Sequence, residues 1–239
     1  YDQNRNLARV ITEKGETINY IYDDSNRLIR KELPEGIVSY TYDNAGNLIS
    51  AIDTNSNLEY AYDSADRLIR VKTYALQPET AVSYEYDLNG NRTKLTYPDS
   101  TYITYEYDSL NRLIRMRDQT QAQIANYGYD VLSRRTYLKY LNQVTTTSTY
   151  NALSELISIK NLYRNVIPGS SIYDSDTYTY TYDRSGNRLT KKLDTLTHEI
   201  YAYDNIYQLT NVAYPNATTT SYNYDPLGNR ISVTDNGVT

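Results

Sequence analysis

The sequence predicts an all-β protein built as a long antiparallel meander of about twenty-two short strands. Three observations carry this. One unit recurs eleven times, at spacings of 21, 20, 20, 24, 21, 22, 21, 32, 21 and 21 residues between its anchor tyrosines. Within each unit apolar and aromatic residues alternate with others at a period of two, which places alternate side chains on one face of a strand. In seven of the eleven units the alternating run ends in a turn signal, Asp with Gly, Asn or Asp three residues later. Fixed periods of this size indicate repeats that stack neighbour on neighbour, so 1–239 reads as a single array.

Ser39 to Ser50, S-Y-T-Y-D-N-A-G-N-L-I-S, shows the unit most plainly. Tyr40 and Tyr42 share a strand face. Asp43 opens a type I turn by accepting hydrogen bonds from nearby backbone N–H groups, and Gly46 supplies positive φ, giving a three-residue hairpin loop closed by a bulge. The chain then returns through Asn47, Leu48 and Ile49, with Leu48 facing Tyr42 across the hairpin.

The anchor tyrosine recurs at Tyr1, Tyr22, Tyr42, Tyr62, Tyr86, Tyr107, Tyr129, Tyr150, Tyr182, Tyr203 and Tyr224. Asp follows in every copy but one, where Asn151 stands. The bulge position, four residues after the anchor, holds Gly, Asn, Asp or Ser except at Arg5 and Tyr207, where a different turn is expected because bulky residues avoid positive φ. Leu33-Pro34-Glu35-Gly36, Tyr97-Pro98-Asp99-Ser100 and Tyr214-Pro215-Asn216-Ala217 mark a second turn in each unit, with Asp53-Thr54-Asn55-Ser56 as a version lacking proline. Two segments interrupt the rhythm, Tyr74 to Thr80 and a longer insertion at about 162–176. The latter is either a tolerated insertion or a partner contact through Arg164, Asn165, Ile172 and Tyr173.

Composition narrows the function. Tyr occurs 30 times while Phe and Trp are absent, so a dry core is not expected. Thin sheet layers, with Tyr rings on Leu and Ile and hydroxyls reaching solvent, fit better. The 24 basic and 29 acidic residues are interspersed, for a net charge of −5. That disfavours nucleic acid, and arginine is expected on a solvated sheet edge. No apolar run approaches a membrane span. Absence of cysteine excludes disulfides and thiolate metal sites. The chain starts at Tyr1-Asp2 without an initiator methionine, which reads as a fragment or processed product.

No catalytic, cofactor or metal site is indicated. His198 is the only histidine, and a Ser-His-Asp site needs a convergent geometry and an oxyanion hole that nothing signals. The aspartates recur as turn openers, which accounts for them. The motif residues, Tyr40, Tyr42, Asp43, Gly46 and Leu48 with their counterparts Tyr180, Tyr182, Asp183 and Gly186, are assigned to architecture.

The repeated Y-x-Y-D-x-x-G/N-N/R-L/R, exemplified by Tyr180-Thr181-Tyr182-Asp183-Arg184-Ser185-Gly186-Asn187-Arg188-Leu189, resembles the YD repeats of rearrangement-hotspot (Rhs) proteins. The same repeats occur in Tc toxin C components, bacterial wall-associated proteins and teneurins. The resemblance implies a sheet winding as a spiral into a hollow shell, secreted or at the cell surface, which in toxin members holds a polymorphic C-terminal toxin. Those members end the shell in an aspartyl autoprotease segment; here Tyr224-Asp225-Pro226-Leu227-Gly228 sits in ordinary repeat register, so autoproteolysis is not implied. The leading expectation is a non-catalytic scaffold that encloses or displays a toxin or effector polypeptide, or packs on adjoining repeats of a parent chain. The alternative is an adhesion module binding glycan or a surface receptor. Open sheet edges further suggest end-to-end self-association.

Overall fold

The computed structural model describes residues 1–74, 79–164 and 173–235. Among them lie twenty-one strands and no helix. The difference from twenty-two is local: the unit anchored at Tyr1 contributes only its returning strand, Arg9–Ile11, whereas each later unit contributes two. Strands run from three residues at Arg9–Ile11 to ten at Tyr173–Tyr182.

The chain divides into two compact units, Tyr1–Asn111 with Arg117–Gln121, and Arg112–Met116 with Ala122–Thr239. In the first, successive strands from Arg9–Ile11 to Tyr102–Tyr107 pair antiparallel in chain order. In the second, the same holds from Gln123–Tyr129 to Arg230–Asp235.

Both turn types form as their sequences require. Asp43 N–H donates to the Asn47 carbonyl at 2.9 Å and Gly46 N–H to the Asp43 carbonyl at 3.2 Å, which is a three-residue loop with Gly46 as its bulge at φ 95°. Tyr42 pairs with Leu48. One feature was not legible: Thr41 pairs with Ser50, so Ile49 is an extra residue and forms a second bulge. The same shift recurs at, for example, Tyr62, Tyr182 and Tyr224. At the opposite end of the unit Tyr97 N–H donates to Thr101 and Ser100 N–H to Tyr97, with Ser100 at φ 68°.

Arg5 and Tyr207 do not depart from this pattern. They hold φ of 68° and 66° and close the standard turn, Arg5 N–H on the Asp2 carbonyl and Tyr207 N–H on that of Asp204. The hydrogen bonds around the turn aspartate hold the backbone in place despite a left-handed cost of roughly 1–2 kcal/mol.

The insertion is a lengthened hairpin. Leu162, Tyr163 and Arg164 pair with Ser175, Asp174 and Tyr173; Asn165 and Ile172 lie outside the described residues. Burial is thin throughout. Among the described residues the apolar side chains that are buried are Ala125, Leu138, Tyr201 and Val212, as a layered sheet without a thick core requires.

Candidate functional site: the joint between successive repeats

The polar residues of the motif converge on one edge, where the Asp turns of consecutive units stand side by side. Each turn is first fixed internally. Asp183 Oδ1 accepts from the backbone N–H of Ser185 at 2.8 Å and Asn187 at 2.9 Å, and Oδ2 accepts from Asn187 Nδ2 at 2.8 Å. Asp63 does the same with Ala65 and Arg67, adding a 2.7 Å contact to the guanidinium. Donation from the Arg67 side chain holds the Asp63 carboxyl below its usual range, and donation from the Asn187 amide does so for Asp183.

The anchor tyrosine then ties its unit to the one before. Tyr42 donates its hydroxyl to the Leu28 carbonyl at 2.8 Å, Tyr62 to Leu48 at 2.9 Å, Tyr86 to Leu68 at 2.8 Å and Tyr182 to Leu156 at 2.8 Å. Every anchor from Tyr22 to Tyr224 follows. The acceptor is the first residue of the returning strand, one unit back, except for Leu7, which lies two residues before the strand Arg9–Ile11. These hydroxyls therefore do not simply reach solvent: the bulged strand leaves that carbonyl outside the ladder, and the phenol satisfies it. Burial raises the phenol pKa of Tyr42, Tyr62 and Tyr182.

The fifth residue after the anchor completes the joint, in two forms. Arg27 bonds its own Asp23 through Nε at 2.8 Å, stacks 4.8 Å over the next anchor, Tyr42, and donates Nη1 to the Asp43 carbonyl at 3.2 Å. Arg67 treats Asp63, Tyr86 and Asp87 in the same way, and Arg134 treats Asp130, Tyr150 and Asn151. These arginines are half-buried connectors rather than a solvated fringe, because the ring and the carbonyl of the next unit give the guanidinium a second set of partners. At Asn6, Asn47 and Asn91 the amide bonds its own Asp and reaches the bulge residue of the next unit, Asn6 to Asn26 at 2.8 Å, Asn47 to Asp66 at 2.9 Å and Asn91 to Asn111 at 2.8 Å, whereas Asn187 bonds its own Asp183.

The second tyrosine of the unit meets the residue after that. Arg188 lies 5.6 Å from Tyr180 and 4.6 Å from Tyr201, bridging rings of two units. Beside it is a polar cluster with no counterpart in the sequence reading. Tyr201, 8% exposed, donates to Glu199, which also accepts from Lys191 Nζ at 2.7 Å.

Thus Tyr42, Asp43, Gly46 and Leu48 come together within one hairpin, and Tyr182, Asp183 and Gly186 within another. The hydroxyl contacts and guanidinium stacks were missed. Their signal was present: a chain with 30 tyrosines and no phenylalanine keeps a hydroxyl on every ring. His198 lines a shallow cleft with Tyr214, Pro215 and Thr218. Among the described residues no cluster of three or more His, Asp or Glu is arranged to hold a metal.

This geometry has known parallels. Residues 1–135 match the family model described as Teneurin YD-shell. The chain belongs to the teneurin YD-shell family. Residues 208–238 of this YD-shell chain match the model described as RHS Repeat. Its fold is also that of longer solved structures. A Tc holotoxin pore from Photorhabdus luminescens, carrying the mutation TccC3-D651A, superposes with a TM-score of 0.70 at 17% identity, over 95% of this chain and 14% of that one. Two TcdB2-TccC3 crystal structures give 0.60 at 15% identity, over 98% of this chain and 16% of that one, and, in a version without the hypervariable C-terminal region, 0.56 at 18% identity, over 94% and 15%. The YD-shell chain spans about a seventh of the length of the structures it resembles. Comparison with curated proteins gave no match. No helix is long and apolar enough to cross a membrane among the described residues.

Proposed function

We propose that this YD-shell chain is a stretch of wall in a secreted or cell-surface shell that encloses or displays a polypeptide, a toxin or effector region, and performs no chemistry itself. The joint is the observation that carries this reading. Ring, hydroxyl and guanidinium of the motif serve attachment to the neighbouring repeat, and the carboxylate holds the guanidinium in place, which is what a load-sharing wall requires. The similar TcdB2-TccC3 structure described as lacking a hypervariable C-terminal region supports a shell paired with a separate, variable segment. We assign partner contact to Arg164 and Tyr173, the last described pair of the lengthened hairpin.

Protease protection tests the proposal. In the full-length protein that carries this chain, segments encoded outside the repeats should resist digestion until the repeats are denatured. Prompt digestion of every such segment while the repeats stay intact would overturn enclosure.

A further inference from the structure

We infer that the two forms of the joint are a matching rule that decides which repeat can follow which. The fifth residue after one anchor and the bulge residue after the next share one space above the turn, and their sizes are complementary at all ten joints. Short Asn6, Asn47, Asn91 and Asn187 face side-chain-bearing Asn26, Asp66, Asn111 and Tyr207. Long Arg27, Arg67, Glu155 and Gln208 face Gly46, Gly90, Gly186 and Gly228, while Arg112 and Arg134 face serines, Ser133 and Ser154.

The physical reason is a shared volume. Asn Nδ2 and Arg Nε take the same position on the carboxylate of their own turn, as Asn47 does on Asp43 at 3.1 Å and Arg27 on Asp23 at 2.8 Å. Beyond that point the space holds either the rest of the guanidinium, travelling forward to the next turn's carbonyl, or an amide or carboxylate coming back from the next bulge. It does not hold both. At Gly228 an added Cβ would stand 3.0 Å from Gln208 Nε2, and at Gly186 3.4 Å from Glu155 Oε1. At Gly46 and Gly90 nothing stands within 4 Å of the Cβ position, so the close approach is seen at Gly186 and Gly228. Where Ser replaces Gly the hydroxyl is short enough to accept from the arginine, at 3.2 Å for both Arg112 with Ser133 and Arg134 with Ser154.

A bulge residue is thus chosen by two demands at once. It must adopt positive φ, and it must fit the long or short residue projecting from the preceding repeat. The surface this rule defines is the turn edge, and the partner it selects is a following YD repeat of the complementary class.

A double-mutant cycle on the 239-residue chain tests the rule at the uncharged joint. Asn91→Arg alone places two side chains in one space, and Asn111→Gly alone removes the acceptor of Asn91; the pair together rebuilds the Arg–Gly form. The unfolding equilibrium constant of the double variant should fall at least about tenfold below the value expected from the two singles independently. Additivity within about twofold would overturn the rule. If Asn91→Arg does not fold, the rule requires the double variant to recover soluble protein, and failure to do so counts against it equally. Tyr207→Asn provides an independent arm. It supplies Asn187 with the acceptor found at the other Asn joints, so the urea midpoint should rise, and rise more than for Tyr207→Gly. An equal or smaller rise would reduce the pairing to simple relief of positive φ.

Discussion

Tyr42 shows what a single residue contributes. Its ring covers the hairpin and takes the Arg27 guanidinium, while its hydroxyl satisfies the Leu28 carbonyl one repeat back. Tyr42→Phe keeps the ring and orphans that carbonyl, so stability should drop by about 1–2 kcal/mol. The urea midpoint should fall at unchanged slope; an unmoved midpoint would show that the hydroxyl contributes nothing. Arg67 makes a sharper case, because three partners lie at fixed directions around it: Asp63, the Tyr86 ring and the Asp87 carbonyl. A lysine can meet one of them. Arg67→Lys should therefore cost roughly 1 kcal/mol despite retaining charge, checked by the same titration, and a neutral result would reduce the stack to coincidental proximity.

At the scale of the hairpin, turn and bulge can be tested separately. Gly46 has φ 95° and open space where a Cβ would stand, so Gly46→Ala isolates backbone strain and should cost about 1–2 kcal/mol. Gly128, inside a strand, has the Tyr137 Cβ 3.0 Å from its own missing Cβ, so Gly128→Ala should force strand separation instead. Hydrogen exchange distinguishes them: the first should speed exchange only near its turn, the second along the paired strands 123–129 and 135–140. The hairpin itself was readable from Asp43, Gly46 and the Tyr–Thr–Tyr alternation, because turn chemistry and period are local. The second bulge at Ile49 was not, since Leu48-Ile49 reads equally well as a continuing strand. The joint was also hidden. Arg27 and Tyr42 lie 15 residues apart and meet only once two hairpins stand side by side, whereas their pairing would have emerged from comparing bulge residues across consecutive units. Arg5 and Tyr207 misled for the complementary reason: local preference disfavours them at positive φ, and the network around the turn aspartate overrides it.

The whole molecule multiplies these small terms, and pH exposes the multiplication. The carboxyls of Asp23, Asp63, Asp87, Asp183 and Asp225 are held below their usual range by hydrogen bonds from the fifth residue's backbone or side chain. A lowered folded value contributes stability above the unfolded carboxyl pKa, about 4, that disappears as pH falls through the folded values. The anchors Tyr42, Tyr62 and Tyr182 are shifted upward by burial. Their contribution is complete below the unfolded phenol pKa, about 10, and is lost as pH rises through the raised folded values. Stability should consequently be flat between about pH 5 and 9 and fall on both sides, the acid arm shrinking in an Asp63→Asn, Asp183→Asn variant. Urea midpoints measured from pH 2 to 11 check this, and a constant midpoint below pH 4 would remove the turn carboxylates from the account.

The hydroxyl contacts all run in one direction, from a repeat to its predecessor: Tyr42 to Leu28, Tyr62 to Leu48, Tyr86 to Leu68. A ribosome delivers repeats in the opposite order, the predecessor first. Each hairpin can form as it emerges, yet it is latched only when the following anchor appears, about 20 residues later. If the chain folds as it is made, the wall should lengthen by successive latching, each hairpin held only once the next anchor has emerged.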